Sequence, residues 1–323
     1  TAYDGHVPPG DTPHPLPGAI SASGLEGLAA CPYRHFLSRV LHLTPPDPWE
    51  RDEQQWLSAA ERGQVVHGIL PRFMETLRER GALPVASEHY SLLENIAREV
   101  LAEYAERVPV PAELLRREEE RAIRGMLSIF LREETGRSSV PLALERAFGH
   151  ARGGPHPLPP LVLNVEGGTM AVSGTIDRVD RETDGTVLVR DYKTGSNRLD
   201  PNRGLAGGRV LQHALYTEAA RRLFPELSGS EDIRAEYMFL SVREQGARVR
   251  MPDVRSELPS VLGALRALIA TGVYPHSTNK QDCVFCDFAE LCGDADRVTA
   301  QSVRKRDEHS NDMLDDFRSL QHD

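Results

Sequence analysis

The chain has 323 residues, 40% of them hydrophobic, and a formal net charge of −10. That length allows one large domain or two ordinary ones with a sizeable core, and no run of 18 apolar residues is present to span a membrane. The acidic balance argues against a protein that coats nucleic acid nonspecifically, but it is compatible with a local basic groove or an acidic metal site.

The opening TAYDGHVPPGDTPHPLPGAI is rich in Pro and Gly and reads as a linker over 1–20, and the start without Met suggests a piece of a longer protein. No charged stretch followed by an apolar one marks a signal peptide, so a cytoplasmic location is expected. Ser23-Gly24-Leu25-Glu26 has the S-x-x-E form of a capping box, opening a helix that Pro32 interrupts. After the break TPPDPWE, the stretch EQQWLSAAERGQVVHGILPRFMETLRERG carries Trp56, Ala60, Gly63, His67, Leu70 and Met74 at helical spacing. Residues 91–136 read as two helices separated by VPVP. The period then changes. Residues 141–149, with Glu145 among them, read as a strand. LVLNVEGGTMAVSGTIDRVD and TVLVRDYK read as strands joined by the turn RETDG. A helix (GRVLQHALYTEAARRLF), two strands (IRAEYMFLSV, ARVRMP) and another helix (SELPSVLGALRALIATG) follow. The pattern predicts an α/β domain over 21–295, a mixed central sheet flanked by helices with a helical N-terminal part. A charged tail over 296–323 contains one short amphipathic stretch, DMLDDFRSL.

Four cysteines are present: Cys31 stands alone, and Cys283, Cys286 and Cys292 form C-x2-C-x5-C. Unpaired thiols and two disulfides are both open readings. Tight C-x2-C spacing without a secretory signal favours a metal or cluster site, which would account for every thiol.

Lysine occurs only at 193, 280 and 305 among 38 Lys plus Arg, so a lysine marks a place where a compact point charge was wanted. Along TVLVRDYK, the side chains of Val187, Val189, Asp191 and Lys193 share one face. If the turn is a three-residue loop with Gly185 left-handed, paired residue numbers sum to 368, which sets Asp177 opposite Asp191. Opposed Cβ atoms lie roughly 5 Å apart, and two carboxylates that close repel unless a cation lies between them. Mg²⁺ or Mn²⁺ suits such hard oxygens, with Lys193 beside it; a plain salt bridge between Lys193 and either Asp is the alternative. His67 lies on the apolar stripe of its helix, and Gln212 and Tyr216 share one helical face.

The order His67 in GQVVH, Asp177 in GTID, Asp191-Tyr192-Lys193, then Gln212-x-x-x-Tyr216, bracketed by Cys31 and CVFCDFAELC, resembles the PD-(D/E)xK nuclease superfamily. It is similar in particular to the iron–sulfur nuclease domain of the AddB subunit of bacterial AddAB helicase–nucleases, with RecB-type and CRISPR-adaptation nucleases as cousins. The resemblance covers about residues 20–295 and includes the entry helix SASGLEGLAACPYRHFLSRVLHL. It implies a restriction-endonuclease-like core and a metal-dependent exonuclease acting on single-stranded DNA, within a helicase–nuclease that processes ends in recombination and repair. It implies that His67, Asp177, Asp191 and the Tyr192 carbonyl ligate the metal, that Lys193 polarises the attacking water, and that Gln212 and Tyr216 position the strand. Glu145 falls where relatives often carry an acidic residue. Cys31, Cys283, Cys286 and Cys292 would hold a [4Fe–4S] cluster that staples the domain's start to its end, with zinc the alternative in a four-cysteine site. The partners implied are DNA and a helicase domain or subunit, with no membrane. In GSNRLDPNRGLAGGR, Arg198, Arg203 and Arg209 offer a local cationic path. The competing reading is a non-catalytic DNA-binding or scaffold module with a structural cluster.

Overall fold

A single long strand organises the sheet. In the computed structural model, which describes residues 5–9, 18–44, 54–149, 158–224, 227, 232–308 and 310–321, the helical half comes first. It comprises strand β1 (Ile20–Ser21), α1 (Ala22–Ala30), α2 (Pro32–His35), α3 (Ala59–Glu79), α4 (Tyr90–Arg107) and α5 (Glu113–Glu134). The strands follow: β2 (Val140–Phe148), β3 (Leu161–Val165), β4 (Gly168–Arg181) and β5 (Val187–Lys193). Then come α6 (Gln212–Leu223), β6 (Ile233–Phe239), β7 (Arg248–Met251), α7 (Leu258–Thr271), α8 (Ala289–Cys292), α9 (Ala295–Asp307) and α10 (Asp315–Ser319). The sheet order is β1-β4-β5-β6-β7, with β2 and β3 also on β4. The β1–β4 and β5–β6 pairs are parallel, the others antiparallel. This is the mixed central sheet flanked by helices that the sequence pattern predicts.

The β4–β5 hairpin has the expected register. Arg178 pairs with Arg190 and Arg181 with Val187, Glu182 N–H donates to Thr186 O at 2.8 Å, and Gly185 takes φ +87°. Alternation then sorts the side chains by layer. Val187 and Val189 join the core beneath α1, α6, α7 and α10, while Tyr192 joins the core of α3, α4 and α5.

Three sequence readings need correction. Ser21, not Ser23, caps α1, its Oγ accepting from Gly24 N–H at 3.1 Å; Ser21 ends a strand paired to β4, so the chain turns there, two residues early, and Glu26 is free to act elsewhere. The long second helix begins at Ala59 on a Ser58/Glu61 capping box. Trp56 precedes it and donates from Nε1 to Val108 O at 3.0 Å, so its spacing with the helical stripe is coincidental. The charged C-terminal stretch is helical and lays Leu314, Phe317 and Leu320 into the main core, each worth about 2 kcal/mol in removed apolar surface. The loop at 150–157, the break at 45–53 and most of 1–17 lie outside the described residues; within the described 5–9, His6 bridges to Val273. No described helix is long and apolar enough to cross a membrane.

Candidate active site

The site forms where β4 and β5 part. Ladder pairing stops at Arg178–Arg190, and one step further the Asp177 carboxylate replaces the ladder, accepting the Tyr192 N–H on Oδ2 at 2.8 Å. The predicted opposition of Asp177 and Asp191 is therefore realised as a split in the strands. On the other side of β4, Leu144 pairs with Arg178 and Arg146 with Ile176. Glu145 between them has φ +45°, a left-handed backbone that costs a non-glycine residue about 1 kcal/mol or more and recurs at functional sites. Its carboxylate turns toward the same point as Asp177.

α3 supplies the imidazole. His67 Nε2–H donates to Tyr192 O at 3.0 Å, and Nδ1 lies 3.3 Å from Asp177 Oδ1 and 3.9 Å from Glu145 Oε1. Ligand atoms of His67, Glu145 and Asp177 all fall within 4.8 Å of one another. Burial works against a charged His67, but the Asp177 hydrogen bond and the charges of Asp177, Asp191 and Glu145 outweigh it and hold it at about 9. Burial, then the Asp177 charge, pushes Asp191 up to about 7 and Glu145 to about 7. Three crowded carboxylates thus hold one imidazolium among them. That donor set, one nitrogen and several hard oxygens, fits a divalent ion of the Mg²⁺ or Mn²⁺ class.

Lys193 stands one step along the strand. Its Nζ lies 2.6 Å from Asp191 Oδ2, donates to Gln212 Oε1 at 2.7 Å and sits 5.3 Å over the Tyr237 ring. Tyr216, one turn after Gln212, is buried with its ring edge-on to Phe148. Burial first, then the charges of Asp191 and Asp177, push its hydroxyl well up, and a hydrogen bond with Gln212 opposes this. Its ring lies against Gly174, where a Cβ would come within 2.7 Å of it; that is why GTID opens on glycine. The structure brings together all of His67, Glu145, Asp177, Asp191, Tyr192, Lys193, Gln212 and Tyr216.

Sequence reasoning missed two supports. The Oε1 atom of half-buried Glu26 accepts the N–H groups of Leu211 and Gln212 at 2.7 and 3.1 Å. Its S-x-x-E setting pointed instead to its own helix. Behind the strands lies a buried ionic cluster. Arg178 contacts Glu134 (2.9 Å), Asp180 (2.7 Å) and the Tyr192 hydroxyl (3.1 Å), and Arg190 contacts Glu134 (3.0 Å), Asp180 (3.2 Å) and Glu236 (3.1 Å). The alternation in TIDRVD and VRDYK was its only signal.

The arginine loop divides. Arg198 and Arg203 are exposed. Arg209 does not belong to a solvent-facing path: it grips the Asp282 carboxylate with two bonds of 2.9 Å and reaches Ala30 O at 3.3 Å. A short loop packed against two other segments left it no room to face solvent.

The four cysteines are half-buried free thiols that line one cavity of about 240 Å³ with Tyr33, Leu37 and His276 among its walls. Cys31 breaks the helix between α1 and α2 with extended backbone. Burial pushes its thiol up, while the N–H groups of Arg34 and Ser277 favour the thiolate; burial and the other three cysteines push Cys292 up to about 11. Such a set of sulfurs binds as thiolates only when a cation compensates them.

The sequence profile of the PD-(D/E)XK nuclease superfamily matches residues 19–293. The B subunit of the ATP-dependent helicase/deoxyribonuclease of Moorella thermoacetica is 31% identical over 255 residues, covering 74% of this chain and 21% of that protein. The proteins of the same name from Desulforudis audaxviator and Bacillus subtilis are each 31% identical, over 259 and 256 residues, covering 76% and 74% of this chain and 21% and 20% of theirs. The chain thus spans about a fifth of the length of these relatives.

Proposed function

The chain belongs to the PD-(D/E)XK nuclease superfamily, and from that premise we propose that it is a Mg²⁺- or Mn²⁺-dependent deoxyribonuclease domain, an exonuclease hydrolysing phosphodiesters of single-stranded DNA. The observation that carries the reading is the lysine ammonium held between Asp191 and Gln212, one strand position from the Asp177–Glu145–His67 group.

His67, Asp177, Asp191 and the Tyr192 carbonyl would hold the ion, with Glu145 beside them. The ion, when bound, supplies charge neutralisation at a phosphate oxygen and makes water more acidic. Lys193 adds a positive point charge aimed at the water and the phosphate oxygens, and Gln212 keeps it from swinging toward solvent. Tyr216 steadies Gln212 from below through its hydroxyl. The exposed Arg198 and Arg203 take the DNA backbone. The four cysteines would hold a [4Fe–4S] cluster. A cavity of about 240 Å³ is far larger than a lone ion needs, given that a water takes about 30 Å³, and four thiolates are the usual cluster donor set. The names of the relatives support a place in a larger helicase–nuclease that processes DNA ends in repair.

The test is cutting of a 5′-labelled single strand by anaerobically purified protein with Mg²⁺ or Mn²⁺ and with EDTA. Cutting that needs the ion and vanishes in Asp177→Ala supports the reading. Binding without cutting under every metal condition would make the chain a non-catalytic module. An absorption band near 400 nm, roughly where cysteinyl clusters absorb, separates cluster from zinc.

A further inference from the structure

The lysine's position depends on residues far from it in sequence. Lys193 is steered by Gln212, the first residue of α6. The N-cap of that helix, Leu211, has no side-chain bond to offer the first turn. Glu26 does the capping instead, one carboxylate oxygen taking the N–H groups of both Leu211 and Gln212. An acceptor carrying negative charge is favoured at this end of a helix. Glu26 rides on α1, a short helix pinned by buried Leu25, Leu28 and Ala29, and the residue that ends α1 is Cys31. The second tie is Arg209, three residues before Gln212. Its guanidinium joins Ala30 O to the Asp282 carboxylate, the residues immediately before Cys31 and Cys283. Ser277 Oγ–H also donates to Asp282, so the arginine's anchor is itself fixed.

We propose that Glu26 and Arg209 are positioning residues that tie the start of α6 to both cysteine-bearing segments, so that closure of the cysteine site sets where Gln212 holds the Lys193 ammonium. The proposal deepens the nuclease reading, on which the role of Lys193 in the reaction rests. If the segments carrying Cys31 and Cys283 separate, Arg209 must release one of them, α1 shifts with Glu26, and the first turn of α6 loses its acceptor. Gln212 then no longer meets Lys193, although neither residue lies near a cysteine in the chain.

With three lysines in the chain, the position of one can be read directly. Native protein is acylated with a large excess of an N-hydroxysuccinimide ester in chelator-treated buffer, and the rate at each lysine is followed by peptide mass spectrometry. Glu26→Ala and Arg209→Met should each speed acylation of Lys193 about five-fold relative to Lys305, the change in population that one net hydrogen bond commands. Glu26→Gln, whose amide oxygen still accepts both N–H groups, should stay near the parent rate. Cys31→Ala should reproduce the rise. On DNA, Glu26→Ala should lower kcat and leave KM near the parent value. Should Glu26→Ala not fold, Arg209→Met makes the same test alone. The proposal is overturned if the Lys193 rate is unchanged in the folded variants, if Lys305 rises in step, or if Glu26→Gln behaves like Glu26→Ala. A parent protein that cuts no DNA removes the nuclease reading, while the acylation rates still decide the coupling.

Discussion

Replacing Asp191 by Asn should abolish cutting and yet make the metal-free protein more stable. Burial first, then the neighbouring charge of Asp177, raises the Asp191 carboxyl from 3.8 to about 7, against the pull of Lys193 and His67. The folded protein therefore holds this proton more tightly than the unfolded chain does. Its contribution favours folding below about pH 4 and is lost progressively as pH rises through about 7. At about 1.36 kcal/mol per pH unit, the ionised carboxylate penalises the fold by roughly 4 kcal/mol at pH 8 and by less than about 2 at pH 5. Asn removes that penalty but also the 2.6 Å ion pair with Lys193, which leaves a gain of about 2 kcal/mol at pH 8 and little at pH 5. For a chain of this size that is a rise in Tm of roughly 4–8 °C. The assay is a thermal melt of parent and Asp191→Asn in EDTA at both pH values. Mn²⁺ should then raise the parent's Tm at pH 8 by binding the folded state and should leave the variant nearly unmoved. A variant that melts lower than the parent at pH 8, or that gains equally at pH 5, would refute the account of crowded carboxylates.

Lys193→Ala should lower cutting by several orders of magnitude with a melt close to the parent's, because the lysine ends a strand and fills no core. Lys193→Arg should also be largely inactive, since a broad guanidinium does not replace a point charge; cutting rates and melts together check both. Cys31→Ala should bleach the protein, drop its Tm sharply and admit protease. It opens a loop longer than one of about 100 residues, whose closure is worth roughly 4.7 kcal/mol in the chain-entropy model; a variant that keeps its colour and Tm counts against the cluster. Replacing Arg198 and Arg203 together should flatten the salt dependence of DNA binding, whereas Arg209→Ala should act on Tm; an unchanged salt slope in the double variant makes the loop a connector.

The hairpin was legible because register in a tight β-turn is set by loop length and one left-handed glycine. Gly185 takes that role, and the pairing of Asp177 with Asp191 followed from counting. The order of His67, Asp177, Asp191, Lys193, Gln212 and Tyr216 named the site because side chains that share one ion must converge whatever the loops between them do. What stayed hidden was long-range. Glu26 looked like a cap for its own helix, and only the packing of α1 against the turn before α6 makes it a cap for another, 185 residues on. Arg209 looked like its exposed neighbours Arg198 and Arg203, since nothing local tells a guanidinium facing DNA from one facing Asp282. The charged tail read as solvated because Leu314, Phe317 and Leu320 are too few for a pattern until the surface they cover is in place.

Tyr192 explains why so many charges are buried behind the strands. Its N–H fixes Asp177 and its C=O meets His67, so the site depends on the height and tilt of one peptide unit on each side of it. Its ring packs edge-on to Phe130 and its hydroxyl meets Arg178, which is held in turn by Glu134 and Asp180. Hydrophobic residues of similar volume would fill that space as well or better, since buried ion pairs seldom add net stability. They would not fix the ring along its long axis, because apolar packing tolerates sliding that a directed hydrogen bond resists. Tyr192→Phe separates the two contributions. It keeps the packing and removes the bond to Arg178, a buried donor that then lacks one partner at a cost of about 1–3 kcal/mol. If the network serves position, the variant should bind Mn²⁺ several-fold more weakly, by an amount that Tm alone does not predict. If it serves only stability, metal affinity should be unchanged at temperatures where the variant is fully folded.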